Sequence, residues 1–362
     1  CVMDNLNDPD IFFDKEGCCN YCNSYFAQKE KNKKTPIELK AELDAIIADI
    51  KTSRKNDKYD CIVGVSGGAD SMYVVHLLVK FGLHPLVVHY DNGWDSELAV
   101  KNIEVMLNKL NIDLFTYVND WEEFKDLQLA FIKASVIDIE LITDQAIIAL
   151  FYKLSQKHKI KHVFTGHNTS TEFILPKHWY HWKLDGLNIK SIHKTFGTKK
   201  IKTYPIVNYF DQYYLNKTKK IEQHSLLNFV EYNKSEAKEI LKKEYNWIDY
   251  SGKHNESVFT RFYQNYILPL KFNVDKRKAH LSSLICSGQL TRQEALNELK
   301  LEPWKTKETL EDKAYVIKKL DLTEIWFDNW MKEKPVSHFN YPSYLTRHEK
   351  LVQKIRNLLG RK

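Results

Sequence analysis

The stretch Tyr59-Asp60-Cys61-Ile62-Val63-Gly64-Val65-Ser66-Gly67-Gly68-Ala69-Asp70-Ser71 decides how this chain folds. Its first half, Tyr59–Val65, reads as a buried strand, and Ser71–Phe81 follows as a helix. Two adjacent glycines at the joint free the backbone to turn its N–H groups towards an anion, and the helix start adds its partial positive charge. Ser66 and Ser71 bring hydroxyl donors, while Asp70 is placed to hold Mg²⁺ or to order the loop. A bare Gly-Gly pair is as well explained by a tight turn with no ligand. The full S-G-G-x-D-S run behind a strand favours a phosphate cradle. It lacks the Lys of G-x-x-x-x-G-K-[ST] and the spacing of G-x-G-x-x-G, which sets those two nucleotide folds aside.

Outward from the loop, strands are expected at Leu86–Tyr90, Leu114–Val118 and His162–Thr165, with helices at Ser96–Leu110 and Ala146–Lys157. Short β-branched runs alternating with helices predict an α/β fold, a parallel sheet with helices on both faces. Asp91 and Gly93, in His89-Tyr90-Asp91-Asn92-Gly93-Trp94, close the second strand at the carboxyl edge, where such sheets bind ligands. Gly166 and His167 close a later strand at the same edge, and Glu172 follows. Each alone is a turn or a cap; their shared edge makes them candidate ligand contacts. Asp144 is a further candidate, read first as a helix N-cap.

Three segments are expected: a Cys-, Asn- and Asp-rich module at 1–30, the α/β domain at 31–210, and a mostly helical region at 211–362. Lys29–Thr35 reads as a basic linker and Pro36 as the opening of a helix. In the last region helices are expected at Leu226–Glu231, Lys234–Glu244, Arg292–Leu301, Glu308–Leu320 and Arg347–Leu359.

The chain has 362 residues, 43% of them hydrophobic and 28% charged, within the globular range. A net charge of +7 suits an anionic partner but does not choose among a nucleotide, a sugar nucleotide and RNA. No apolar run approaches the roughly 18 residues that suggest a membrane span, and no leader-like N-terminus is seen, so a cytoplasmic protein without a membrane partner is expected.

Three of the six cysteines fall in the first 22 residues. Cys19-Asn20-Tyr21-Cys22 is a C-x-x-C knuckle, and with Cys1 it predicts a structural Zn²⁺ site with ligands Cys1, Cys19 and Cys22. A redox pair or plain buried thiols are the alternatives. Cys18 is badly placed for the same ion. The fourth ligand is expected three residues upstream of Cys1, completing C-x₂-C-x₁₇-C-x₂-C. Cys1 is not expected to be a glutaminase nucleophile, because the 65 residues ahead of the loop are too few for such a domain. Cys61 reads as core packing, and Cys286, with no Cys near it in the sequence, is likewise read as structural.

Polar residues are densest in Tyr250-Ser251-Gly252-Lys253-His254-Asn255-Glu256-Ser257, then around Arg261, then in Asp275-Lys276-Arg277-Lys278-Ala279-His280-Leu281-Ser282. Cations mixed with Tyr, Phe and His suit a phosphorylated ligand, although any one such run is ordinarily a solvated helix face.

Two resemblances follow from these residues. The Val65–Ser71 loop resembles that of the ATP pyrophosphatase (PP-loop) superfamily, which includes GMP, asparagine and NAD synthetases and tRNA thiolation enzymes. That resemblance implies ATP, bound by Val65, Ser66, Gly67, Gly68, Asp70, Ser71, Asp91, Gly93, Gly166 and His167, cleavage between its α- and β-phosphates, and AMP transfer to a substrate oxygen. The chain further resembles the N-acetyl sugar amidotransferase family of bacterial surface-polysaccharide synthesis. The matching pieces are Cys1-Val2-Met3, Gly17–Cys22, the loop, His89–Trp94, Lys253–Ser257, Asp275–Ser282 and Thr291–Leu296.

This second resemblance implies conversion of an acetamido group on a nucleotide-linked N-acetyl sugar into an acetamidino group, as in lipopolysaccharide O-antigen synthesis. The amide oxygen takes AMP, ammonia displaces AMP, and a separate glutaminase subunit supplies the ammonia. Asp70, His254, Glu256 and Lys276 become the catalytic candidates. Glu172, Lys253, His254, Arg261, Asp275, Lys276, Arg277 and His280 become the substrate-binding ones. A tRNA-modifying PP-loop enzyme is the alternative, disfavoured because no pair of cysteines is placed to relay sulfur; nucleic acid is therefore not the expected partner.

Overall fold

A computed structural model describes residues 1–31, 33–54, 57–250 and 256–346. Lys253, His254 and the expected helix Arg347–Leu359 lie outside the described residues. Five parallel strands form the sheet: β1 (Cys61–Gly64), β2 (Pro85–Asp91), β3 (Leu114–Val118), β4 (His162–Thr165) and β5 (Glu222–Ser225), in the order β3-β2-β1-β4-β5. β1 sits at the centre, with Ile62 in register with both Leu86 and Val163. The order reverses between β1 and β4, so a crevice opens beyond their carboxyl ends.

The pleat sends alternate side chains to opposite faces. Ile62, Leu86, Val88 and Tyr90 enter one buried cluster with α5 (Trp121–Lys133) and α6 (Leu141–His158). Cys61, Val63, Val65 and Val87 enter the other, with α3 (Ala69–Lys80) and α4 (Glu97–Leu110). Cys61 is thus core packing, as expected, and both faces are covered, as purely parallel sheets require. β3, at the edge, alternates exposed and half-buried residues.

Ahead of the sheet lie α1 (Asn20–Lys31) and α2 (Pro36–Ser53). Pro36 does open a helix: Thr35 caps it in a capping box with Glu38. After β4 come α7 (Thr169–Glu172), α8 (Gly186–Phe196) and α9 (Tyr209–Lys219). The C-terminal region holds α10 (Lys234–Tyr245), α11 (Val258–Phe262), α12 (Leu268–Phe272), α13 (Lys276–Ser287), α14 (Arg292–Leu299), α15 (Lys307–Lys319) and α16 (Glu324–Lys332).

Three expectations change. The sheet draws its fifth strand from beyond residue 210; Glu222–Ser225 is short and polar, so it carried no strand signal, yet it pairs with β4 through four residues. Leu226–Glu231 is a single 3₁₀ turn, Leu226–Asn228, instead of a helix. Asp144 is not an N-cap: Glu140 holds that position, and Asp144, one turn into α6, pairs with Lys183.

Residues 1–30 have no core of their own. Met3, Ile11, Cys19, Cys22 and Tyr25 enter the main cluster, while Val2 packs on Leu281 and Ala295. The Val2 N–H donates to Ser282 Oγ at 2.9 Å, docking the amino-terminal segment on α13.

Candidate active site

The glycine loop joins β1 to α3 at the crevice. Gly67 takes φ +84°, a left-handed conformation that side chains resist, and a Cβ there would meet the Ala99 carbonyl oxygen at 2.7 Å. The Gly67 carbonyl is held from behind by Trp247 Nε1 at 2.9 Å and the Tyr250 hydroxyl at 3.2 Å. Val65 is tied to the sheet through its N–H to the Val88 carbonyl. Gly68 occupies the N-cap of α3 with no side-chain cap, so the first-turn N–H groups are left for another acceptor. Ser71 Oγ donates to the Gly68 carbonyl and accepts from the Ser66 N–H at 3.3 Å, which draws the two serines together.

Asp70 is fixed by residues the sequence did not single out. The Tyr232 hydroxyl donates to it and Lys234 Nζ lies 3.4 Å away. Burial, then the Asp70 charge, pushes the Tyr232 phenol well above its ordinary value. Asp91 Oδ1 accepts the Gly93 N–H at 2.7 Å, forming a turn at the end of β2. Close by, His89 Nε2 is 2.8 Å from Asp95 and His89 Nδ1 is 3.0 Å from the Val65 carbonyl. Burial opposes the charged ring, but Asp95 outweighs it and raises the His89 pKa. Across the crevice, Gly166 abuts the backbone of Ser71, and His167 Nδ1 meets Glu172 Oε2 at 2.7 Å.

The segment after residue 255 reaches this loop. Val258 N–H donates to the Trp94 carbonyl, Ser96 N–H donates to the Glu256 carbonyl, and Asp95 pairs with Ser257. Glu256 is thereby laid over Gly68, where a Cβ would fall 1.9 Å from Glu256 Oε1. The absence of a side chain at 68 makes room for that carboxylate.

A second polar centre adjoins the end of β2, linked by Asn92 Nδ2 to Thr143 Oγ1 at 3.1 Å. Lys183 bridges Asp138 at 2.7 Å and Asp144 at 2.9 Å. Burial works against the Asp138 carboxylate, yet Lys183 and Lys276 hold it below the usual range. Glu140 accepts from Thr260 Oγ1. Burial pushes the Glu140 carboxyl up to about 7, Asp144 and Asp138 add to the rise, and Lys276 and Thr260 hold it back. A carboxyl that titrates near neutrality beside a lysine is suited to proton transfer. The only trace in the sequence was the acidic spacing Asp138-Ile139-Glu140 ahead of a helix.

The other expected residues separate. Arg261 is committed to α15, with Nε 2.7 Å from Asp312 Oδ2, Nη2 2.8 Å from Oδ1, and Nη1 2.8 Å from Glu308. Arg277 makes a two-pronged pair with Asp275, the N-cap of α13, and reaches the Leu301 carbonyl. His280 Nδ1 lies 2.9 Å from the Thr171 carbonyl.

The expected metal thiols do assemble. Cys1, Cys19 and Cys22 place their sulfurs within 4.8 Å of one another, and Cys1 and Cys19 are 3.4 Å apart. A tetrahedral zinc with bonds of about 2.3 Å separates its sulfurs by about 3.8 Å, so the three could hold such an ion. Cys22 Sγ lies 3.8 Å from Cys286 Sγ. Cys286, distant in sequence, is brought to this cluster from 264 residues along the chain by α13. Hydrogen bonds from Cys19 and Cys286 pull the Cys22 thiol down. Cys18 is exposed and stands apart.

A central strand, a glycine loop capping the next helix, and a reversal of strand order beside it define a doubly wound parallel α/β domain with an open helix start at its switch point. The C-terminal region has its own match: residues 256–356 fit the family model described as LPS biosynthesis protein WbpG-like, C-terminal domain. The chain is 28% identical over 132 residues to the uncharacterized protein MJ1599 of Methanocaldococcus jannaschii, spanning 36% of this chain and 45% of that protein. Among solved structures it is similar to NMN synthetase from Francisella tularensis, at 15% identity and TM-score 0.33, over 72% of this chain and 96% of that one. It is similar also to NH3-dependent NAD synthetase from Campylobacter jejuni, at 15% identity and TM-score 0.29, over 59% and 99%. For the U34-tRNA thiolase NcsA from Methanococcus maripaludis the values are 12% and 0.24, over 57% and 75%. Among the described residues no helix is long and apolar enough to cross a membrane.

Proposed function

We propose that this protein is an ATP-dependent, AMP-forming amidotransferase that acts on the acetamido group of a nucleotide-linked N-acetyl sugar. The observation that carries the reading is the seating of Glu256 over Gly68. It joins the start of the WbpG-like segment, from a family named for LPS biosynthesis, to the phosphate loop.

An amide carbon is a weak electrophile and its oxygen a poor leaving group. Attack of that oxygen on the α-phosphorus breaks the α–β bond, releases pyrophosphate and leaves an imidate-like adenylate. Ammonia then adds to the carbon, the bond to the AMP oxygen breaks, and nitrogen gives up a proton. The loop N–H groups, with Ser66 and Ser71, hold the departing pyrophosphate. Asp70 and Asp91 are the carboxylates that would hold Mg²⁺, which would neutralise phosphate charge; Asp91 keeps one oxygen beyond its Gly93 bond. Glu140 takes the proton from nitrogen, and Lys276 steadies the negative charge that develops. Lys253, His254, Glu256 and His280 bind the sugar nucleotide. Cys1, Cys19 and Cys22 would hold a structural Zn²⁺ that would fasten the amino-terminal segment on α13, and a separate glutaminase subunit would deliver ammonia.

The test is turnover with ATP, an ammonium salt and a panel of UDP- and CMP-linked N-acetyl sugars. AMP and pyrophosphate should appear only with the right sugar, and the product mass should show exchange of O for NH. Release of ADP, or turnover without sugar, sinks the reading. Tight, salt-sensitive tRNA binding with no response to any sugar nucleotide would put a tRNA-modifying enzyme in its place.

A further inference from the structure

Outside the active site and the thiol cluster, one group of side chains is left short of hydrogen bonds among the described residues. Asp8 is completely buried, and its Oδ2 has no hydrogen-bond partner among the described residues. Its Oδ1 accepts the Asp10 N–H at 3.0 Å. Facing it is His178, whose two ring nitrogens are buried and equally without hydrogen bonds. His178 Nδ1 stands 3.6 Å from Asp8 Oδ1 and 3.4 Å from Asp10 Oδ2. One ligand atom from each of the three lies within 4.8 Å of the other two.

A buried carboxylate facing an imidazole whose nitrogens make no hydrogen bond is costly, and such groups are paired, protonated or bound to a metal. The distances discriminate. At 3.4 and 3.6 Å the imidazole is beyond the usual hydrogen-bond range of about 2.7–3.2 Å. Those separations match instead the spacing of neighbouring ligands on a first-row cation with bonds of about 2.0–2.2 Å, roughly 3.3–3.6 Å in a tetrahedron. Protonating His178 would leave two buried N–H donors to satisfy, whereas a cation on Nδ1 leaves one. The two segments are also held together independently, since Trp179 Nε1 donates to the Asn7 carbonyl at 3.1 Å. The Tyr21 phenol beside them is pushed upward, by burial first and then by its hydroxyl's hydrogen-bonding contact with Asp8, which leaves the His178 nitrogens as the unpaired groups of the cluster.

We infer that Asp8, Asp10 and His178 form a second metal site, distinct from the thiol cluster, for a divalent cation of the Zn²⁺ or Mn²⁺ class. One imidazole and two carboxylates suit those ions, and three protein ligands leave a position for water or a ligand oxygen. The site ties the loop around Asp8 to the 3₁₀ turn Lys177–Trp179, next to the N-terminal end of α13, where Asn7 Nδ2 donates to the Asn273 carbonyl at 2.8 Å.

The experiment is Co²⁺ binding to chelator-treated full-length protein, followed by elemental analysis and absorption. Thiolate-bound cobalt has intense charge-transfer bands, and cobalt on nitrogen and oxygen lacks them. The wild type should bind one equivalent without those bands, displaceable by Zn²⁺. His178→Gln and Asp10→Asn should weaken it at least tenfold and leave any thiolate-bound cobalt unchanged. Asp10 has a side chain 73% exposed, so that variant folds even if a change at buried Asp8 does not. Unchanged binding of this equivalent in His178→Gln, or no cobalt outside the thiolate bands in the wild type, overturns the inference.

Discussion

The two walls of the crevice are built by opposite means. The glycine-loop wall, residues 65–71, is one continuous loop that offers backbone N–H donors, shaped by a positive φ at Gly67 and an uncapped helix start. The wall beyond the end of β2 is assembled from side chains of distant segments: Asp138, Glu140 and Asp144 around α6, Lys183, Thr260 and Lys276. A backbone cradle tolerates many side-chain changes but few changes of conformation. A side-chain cluster has the reverse sensitivity, because its chemistry resides in individual charges and in how far burial shifts them.

The largest effect is expected at the glycine-loop wall. Gly67→Ala forces a side chain into left-handed backbone, at about 1–2 kcal/mol, and against the Ala99 carbonyl. AMP-forming turnover should fall by about 10²–10³-fold, as when oriented donors are lost, with the far-ultraviolet spectrum unchanged. Near-normal turnover would mean the loop does not hold phosphate.

At the wall beyond β2 Glu140→Gln should lower kcat by about 10²-fold, the size of a general-base contribution, with little change in nucleotide affinity. The wild-type rate should rise with pH through about 7 as Glu140 loses its proton, and the variant should lack that limb. Stability has the opposite sign. With its folded pKa above the ordinary 4.5, Glu140 contributes stability that is full below about 4.5 and lost as pH rises through about 7. Urea melts of Glu140→Gln should lack that decline; an identical pH dependence in both proteins would refute the shift.

Two smaller comparisons concern the scaffold. Arg261→Ala leaves buried Asp312 without its partner and should cost about 3–5 kcal/mol of unfolding free energy. Specific activity of the folded fraction should stay within about twofold if the guanidinium never meets substrate, so a large KM change would return Arg261 to the substrate site. Cys22→Ser should lower Tm by on the order of 10 °C, since each kcal/mol shifts a domain of this size by about 2–4 °C. Exposed Cys18→Ser should change stability by less than about 0.5 kcal/mol.

The walls also differ in how far the sequence discloses them. Val65–Ser71 was legible because strand, turn and helix start are adjacent in the chain and each obeys local rules of backbone and propensity. The carboxyl-edge positions of Asp91 and Gly166 followed from the same alternation. Glu140 was not legible, since its rise to about 7 comes first from burial, which distant segments create; only the smaller push from Asp144 and Asp138 is local. Tyr232 and Lys234 were hidden for the same reason, reaching Asp70 from 162 and 164 residues along the chain. Arg261 and Arg277 looked like anion binders by type, and only the contacts show them taken up by Asp312 and Asp275.

The sequence by itself determined the parallel α/β frame, the glycine loop at the start of α3 and the gathering of Cys1, Cys19 and Cys22, because periodicity, backbone freedom and short spacings are local properties. Tertiary structure alone decided that Glu222–Ser225 completes the sheet, that Cys286 lies beside Cys22, and that Asp8, Asp10 and His178 meet. Those outcomes depend on which distant segments share one buried volume, and burial is what turns an ordinary acid, thiol or imidazole into a functional group.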